Sequence, residues 1–459
     1  MKKILIFLFF AISFGCKKEL NLKPNTSIVL PKTAQELESL LENSDELNTT
    51  TGFGQVSADE YFIPSLIDWQ SAYSATVRNA SIWQREIYAG DRSIQDWLVP
   101  YTTIFYANSV LDILKTQDIK SDTEKSRIKG RALFMRAYAF YALVSIFSKG
   151  YDPLTAPADL GIPLKLNGNV DEIVQRSSVE QTYDQIIKDG IEAAESLNQD
   201  IVINKRNQPS KVAAYAFLAR VLLSMRNYTQ AEVYADKSLA LYSKLTNFNT
   251  LSKTASSAFT ANSEEIIYYS RAGSQLGSFF IDSYGTYGVD PELISLYLLN
   301  DLRLNIYYRI DMFNNYRVKP INDALGYAFT GLATDEIYLI KAECLARRGE
   351  IISSMDFLNR LNITRWDANA TTPSHPYQNI TANSTADALN KVLIERRKAL
   401  VWRGIRWTDL KRLNLEGRNI TLTRNLSGTI YTLKPNSPLY VLPIPDDEIA
   451  LSGIQQNNR

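Results

Sequence analysis

Histidine and cysteine are almost missing from this chain of 459 residues, which has one histidine, His375, and two cysteines, Cys16 and Cys344. A single histidine excludes HExxH zinc sites and centres built from several histidines. It also makes any Ser-His-Asp or Cys-His triad depend on one residue in a Thr-Thr-Pro-Ser-His-Pro loop. A solvated loop histidine is the simpler reading. Two cysteines permit one disulfide at most. Charge of one sign is lacking as well: 50 Lys and Arg face 49 Asp and Glu, with no long run of either sign. No field is left to recruit nucleic acid or an anionic membrane. Aromatic residues are plentiful instead, with 26 Tyr and 6 Trp. They give large, rigid contact area with a polar tip, and most are expected in the core. The length suffices for one large domain or two to three ordinary ones.

Met1-Lys2-Lys3 followed by the apolar run Ile4 to Ile12 forms the n-region and h-region of an export signal, which is no part of the fold. Small residues then precede a cysteine in Ser13-Phe14-Gly15-Cys16. This resembles a bacterial lipoprotein signal, in which the cysteine becomes the acylated first residue of the mature chain, although Ser13 stands where leucine is usual. Residues 1–15 are read as signal peptide, Cys16 as the lipidation site, 16–30 as a tether and 31–459 as one folded domain. Several acyl chains, at ~0.8 kcal/mol per buried methylene, would hold the protein on a membrane without a spanning helix. Cys344, inside an apolar helix, reads as a buried free thiol.

The stretch Ser121 to Gly150 reads as one helix that is apolar on almost every face. Ser121-Asp122-Thr123-Glu124 forms a capping box at its start and Gly150 supplies the stop. Arg136 in mid-run, and an apolar part shorter than the ~20 residues a bilayer demands, exclude a membrane span. The helix must therefore be enclosed by other elements, with Arg136 as a hydrogen-bonded structural residue. Thr33 and Glu36 form a second capping box, opening a short helix with Leu37, Leu40 and Leu41. Helical spacing also marks Asp96 to Lys115, Ser178 to Leu197 with Ile186, Ile187 and Ile191 facing inward, and Ala386 to Asn414.

Residues 210–243 carry a tetratricopeptide signature: Tyr215, Leu218, Ala219 and Leu222, a turn at Arg226-Asn227-Tyr228, then Ala231, Ala235 and Ser238. A degenerate copy follows in Tyr338, Ala342 and Leu345, a turn at Gly349, then Ser354, Leu358 and Leu361. The helices of Tyr101 and Tyr138 form a third, weaker unit. From Ser57 to Gly90 no period is clean, and the stretch reads as long ordered loops. Glu265 to Tyr269 reads as a short strand, and Gly273 to Asp290 as a Gly/Ser/Tyr loop.

Six motifs in order then gain meaning together. They are Trp97 with Tyr101, Ile104 and Ala107-Asn108; Gly130 to Phe140, containing Arg136-Ala137-Tyr138; Glu336 to Glu343; Glu395-Arg396-Arg397 through Arg406-Trp407-Thr408-Asp409-Leu410; Pro443-Ile444-Pro445 with Glu448-Ile449; and Gln456-Asn457. Over nearly the whole mature chain these resemble the SusD/RagB family, outer-membrane nutrient-binding lipoproteins of the Bacteroidetes. Two departures stand out: no acidic residue precedes Pro24 in Asn21-Leu22-Lys23-Pro24, and Arg403 stands where glutamate is usual. The resemblance implies a mostly α fold, a tetratricopeptide-like helical-repeat scaffold with an irregular, loop-rich ligand-binding region packed on it near 57–95 and 271–333. It further implies a surface-exposed, lipid-anchored protein that captures oligosaccharides, or in some members oligopeptides, and passes them to a SusC-like TonB-dependent outer-membrane channel. Such a protein is a binder and not an enzyme, and no cofactor or metal is expected.

Sugars offer an apolar CH face and a rim of hydroxyls, so their sites need flat aromatics and planar hydrogen-bonding groups. The candidates are Trp69, Tyr73, Arg78, Asn79 and Trp83 in the first region, with Tyr284 and Tyr287 in the second. Packing competes with binding at each: Trp83 can lie under its loop, and Arg78 and Asn79 can brace theirs. Trp97, Tyr101, Trp366, Trp402 and Trp407 are read as structural. Asp59-Glu60 is an adjacent acid pair of the type a glycosidase could use, but adjacency does not place two acids across a scissile bond, and catalysis is not expected.

Overall fold

The computed structural model describes residues 31, 33–72, 74–198, 200–201, 203–273, 287–319, 328–369 and 376–459. Cys16, Tyr73, Tyr284 and His375 lie outside them. Nine helices of ten or more residues carry the described chain: α1 (Gln95–Thr116), α2 (Asp122–Phe147), α3 (Val179–Ser196), α4 (Lys211–Ser224), α5 (Tyr228–Leu241), α6 (Thr334–Arg347), α7 (Ile351–Ile363), α8 (Thr385–Ala399) and α9 (Arg406–Leu415). Local signals start several of them. Ser121 accepts from the Glu124 N–H at 3.3 Å, while Ser178 with Gln181 and Thr33 with Glu36 form full capping boxes.

Each long helix from α1 to α7 packs on the next, and α8 closes against α6 and α7. The repeat hairpins read from the sequence are α4 with α5 and α6 with α7, and α1 with α2 is the third. Because α2 lies between α1 and α3, every residue from Gly130 to Val144 is buried. Among the described residues no helix is long and apolar enough to cross a membrane. Cys344 is a buried free thiol, and burial pushes its pKa up.

Three local expectations need correction. The stop of α2 is not Gly150: the helix ends at Phe147, and Ser148 leaves it in extended conformation. Lys411 of α9 donates to the Ser145 and Ser148 carbonyls at 2.7 and 2.8 Å, so a distant residue satisfies this helix end. Ala386 to Asn414 is two helices, α8 and α9, because Trp402 and Gly404 take positive φ (58° and 68°) between them. Ile191 is at the surface rather than inward, since α3 buries the stripe of Val179, Tyr183, Ile186 and Gly190 instead.

Charged residues of the sequence motifs tie the helices together. Arg136 of α2 grips Asp189 of α3 with two bonds of 2.7 Å and donates to Asn108 of α1 at 2.8 Å. Arg220 of α4 bonds both Glu336 of α6 and the Tyr138 hydroxyl of α2. Arg412 of α9 meets Glu343 of α6 and Asp409, and Asp409 also accepts from Arg396 of α8. Such buried pairs add little net stability against apolar replacements, but removing one partner strands a charge.

The described strands are short and pair two by two. Thr49–Thr50 runs parallel to Arg271–Ala272, and Tyr61–Phe62 pairs antiparallel with Gly288–Val289. Hairpins are formed by Tyr308–Ile310 with Tyr316–Val318 and by Leu422–Leu426 with Thr429–Leu433.

Candidate ligand-binding site

Strand pairing joins the two regions expected to hold ligand. Tyr61 sits opposite Val289 and Phe62 opposite Gly288, although more than two hundred residues separate them in sequence. The approach is close: a Cβ on Gly288 would lie 2.2 Å from Phe62 Cε1, so any other residue there would force the Phe62 ring to move. Arg397 of α8 reaches Asp59 at 3.3 Å and Asp290 at 3.0 Å, and Arg406 of α9 holds both oxygens of Asp59 at 2.7 and 2.8 Å. Both regions are therefore pinned to the same end of the scaffold.

The same contacts decide what the acid pair does. Burial alone would raise the Asp59 carboxyl, but Arg406 and Arg397 beside it hold it well below the usual carboxylate range. Glu60 is 1% exposed. Burial pushes it up to about 7, against a hydrogen bond from Gln55. These are anchoring residues, one spent on two guanidinium groups and the other under the loop.

The stretch 57–90, read as loops, contains two short helices, Leu66–Ser71 and Ala75–Ser81, capped by Ser65 and Ser74. Trp69 lies on the first, half-buried, with its indole N–H donating to the Arg78 carbonyl at 3.0 Å and to Ser81 Oγ at 3.2 Å. The Arg78 guanidinium sits 6.0 Å from the Trp69 ring centroid and donates to the Ala72 carbonyl. Asn79 donates to the Ile87 carbonyl at 3.2 Å, a loop brace. Trp69, Arg78 and Asn79 thus come together on one small helical unit, whose outer side exposes Leu66 and Ile67.

Trp83 and Tyr287 are buried rather than on that surface. Trp83 is 4% exposed, with its indole N–H donating to the Ser57 carbonyl at 2.9 Å. Tyr287 packs edge-on against Tyr61 with ring centroids 5.5 Å apart. Trp402 also leans on Tyr61 at 6.5 Å. An aromatic layer therefore lies under the surface that Trp69 and Arg78 help to form.

The sequence reading overlooked what supports this layer. Arg424, on the Leu422–Leu433 hairpin, lies 4.3 Å from the Tyr61 ring centroid and 5.2 Å from that of Trp83, and donates to the Ala58 carbonyl. At the tip of that hairpin Ser427 accepts from the Leu66 N–H at 3.2 Å. The hairpin did carry a signal, alternating residues around Ser427-Gly428. Nothing local announces Arg424. Trp402 and Trp407 are buried, while Trp366 is half-buried and lines a cavity.

Fold and site together define a class: mostly α proteins with a tetratricopeptide-like scaffold that carries a loop-built face on one end. Comparison with known proteins makes this more specific. Residues 20–223 match the sequence profile of a SusD-like family described as starch-binding, associating with the outer membrane. A search of curated protein sequences finds no match. Among solved structures, a SusD superfamily protein from Bacteroides thetaiotaomicron superposes with a TM-score of 0.74 at 20% identity, covering 93% of this chain and 100% of that one. A protein from Bacteroides vulgatus described as a putative sugar binding protein gives 0.74 at 22% identity, covering 93% and 99%. A laminarin binding SusD-like protein gives 0.64 at 18% identity, covering 93% and 99%. Residues 20–223 thus match the SusD-like sequence profile, and the described structure has the fold of the SusD superfamily proteins on which it superposes.

Proposed function

We propose that this chain is a lipid-anchored protein of the outer-membrane surface that captures oligosaccharides and passes them to a SusC-like TonB-dependent channel. The family match, with its starch-binding description, carries the glycan part of this reading. The joining of the two aromatic-rich regions at one end of the scaffold supports it. Trp69, with Arg78 and Asn79 beside it, offers an aromatic surface and planar polar groups, the chemistry that a sugar's CH face and hydroxyl rim require. Tyr73 and Tyr284, outside the described residues, are proposed as further ligand contacts on the chemistry of their rings alone. Trp83 and Tyr287 contribute from beneath, by holding the layer on which it rests. Anchoring is assigned to an acylated Cys16, after removal of residues 1–15.

Isothermal titration against panels of neutral oligosaccharides and of peptides tests the ligand class. Heat with glycans, lost in Trp69→Ala and Tyr73→Ala, is the expected result. Heat with peptides alone would transfer the same role to oligopeptides, and turnover of a polysaccharide would replace it with hydrolysis. The anchor is tested by palmitate labelling, expected for the parent and absent in Cys16→Ala. Co-purification of a large outer-membrane channel with the tagged protein tests the partner.

A further inference from the structure

A cavity of about 280 Å³ opens where residues 298–303, from the 271–333 region, meet residues 362–366 and 376–380, and no residue of the 57–95 region lines it. The rings of Trp366 and Tyr377 form one wall, 5.8 Å apart and edge-on, and Leu298 and Ile380 complete the apolar lining. Tyr377 is fixed there because its hydroxyl donates to Asn359 Oδ1 at 2.6 Å.

The floor is polar but balanced in charge. Arg303 holds Asp301 with bonds of 2.8 and 2.6 Å and reaches Glu395 at 2.9 Å. Lys398 meets Glu395 at 2.8 Å and Asp301 at 3.2 Å. Arg365, also in the lining, is neutralised by Glu265 at 2.5 Å. Three cations against three anions give no reason for a charged ligand to enter. Arg303 and Asn362 belong to this lining, although Arg303 Nη1 and Asn362 Oδ1, which have no hydrogen-bond partner among the described residues, are themselves shut off from solvent.

We propose that this cavity is a second saccharide subsite, taking one end of a neutral oligosaccharide between the aromatic wall and the floor. The volume is near the lower limit of the roughly 300–1,000 Å³ usual for small-molecule sites, which suits a terminal sugar unit rather than a long segment. The proposal rests on the glycan reading of the protein, and its test separates the two. The full chain is labelled with 5-fluorotryptophan, giving six resonances for its 6 Trp, and those of Trp69 and Trp366 are assigned with Trp69→Phe and Trp366→Phe. Maltohexaose, laminarihexaose, xylohexaose and mannohexaose are then titrated in.

The expected result is a saturable shift of the Trp366 resonance with at least one of them. Tyr377→Ala, which removes the ring, should weaken that binding at least about fivefold. A shift at Trp69 with none at Trp366 would overturn the subsite and leave the glycan reading standing. No shift at either tryptophan with any sugar would remove both. A Trp366 shift insensitive to Tyr377→Ala would also overturn the assignment of this cavity.

Discussion

Arg136 offers a sharp test of how the scaffold is held, because all of its partners belong to other helices. Arg136→Met keeps most of the aliphatic stem but removes both bonds to Asp189 and the one to Asn108. The Asp189 side chain is 1% exposed and would be left with Gln185 alone, at 2.8 Å. Stranding a buried charge in this way costs about 3–5 kcal/mol. A pH dependence should accompany the loss. Burial already raises the Asp189 pKa in spite of Arg136, and removing the guanidinium pushes it further up. A carboxyl whose folded pKa is raised keeps its stability contribution below the unfolded pKa and loses it as pH rises through the folded value. The deficit of Arg136→Met should therefore be larger at pH 8 than at pH 5. Urea unfolding followed by far-UV circular dichroism measures it. Arg136→Met/Asp189→Leu, which removes both charges, should recover most of the loss. A single variant within about 1 kcal/mol of the parent at pH 8, or a double variant no better than the single, would refute the reasoning.

Glu60, raised from 4.5 to about 7 by burial, should cost the fold on the order of 3 kcal/mol as pH rises from 4.5 to above 7. Glu60→Gln should flatten that part of the stability profile, read as urea midpoints across the same window. Gly288→Ala drives a Cβ into Phe62 and should destabilise the contact by roughly 1–3 kcal/mol, with faster amide exchange at residues 61–62 and 288–289 by mass spectrometry. Trp69→Ala should weaken glycan binding with a small effect on melting temperature. Trp83→Ala, at a buried position, should instead lower stability by about 3–5 kcal/mol.

Local chemistry made much of the scaffold readable. Thr33 with Glu36 and Ser178 with Gln181 start helices through contacts three residues apart, and apolar spacing reports a helix face wherever one side is buried. Arg136 could be recognised as structural because a charge within an apolar helix needs a partner, although the partner's identity, Asp189, could not be read. The site was less legible. Trp69 and Trp83 stand fourteen residues apart in similar aperiodic sequence, yet one borders the surface and the other lies beneath Arg424, a side chain contributed from more than three hundred residues away. The end of α2 at Phe147 likewise depends on Lys411.

By itself, then, the sequence determined most of the long helices, their repeat hairpins, the motifs that resemble the SusD/RagB family and the two regions where aromatics collect, because each is written in neighbouring residues. Tertiary structure alone decided that those regions meet through Tyr61–Phe62 and Gly288–Val289, which of their aromatics become support, and that Trp366 and Tyr377 border a cavity. Those outcomes depend on contacts between distant segments, and burial is a property of the packed whole that no short window of sequence contains.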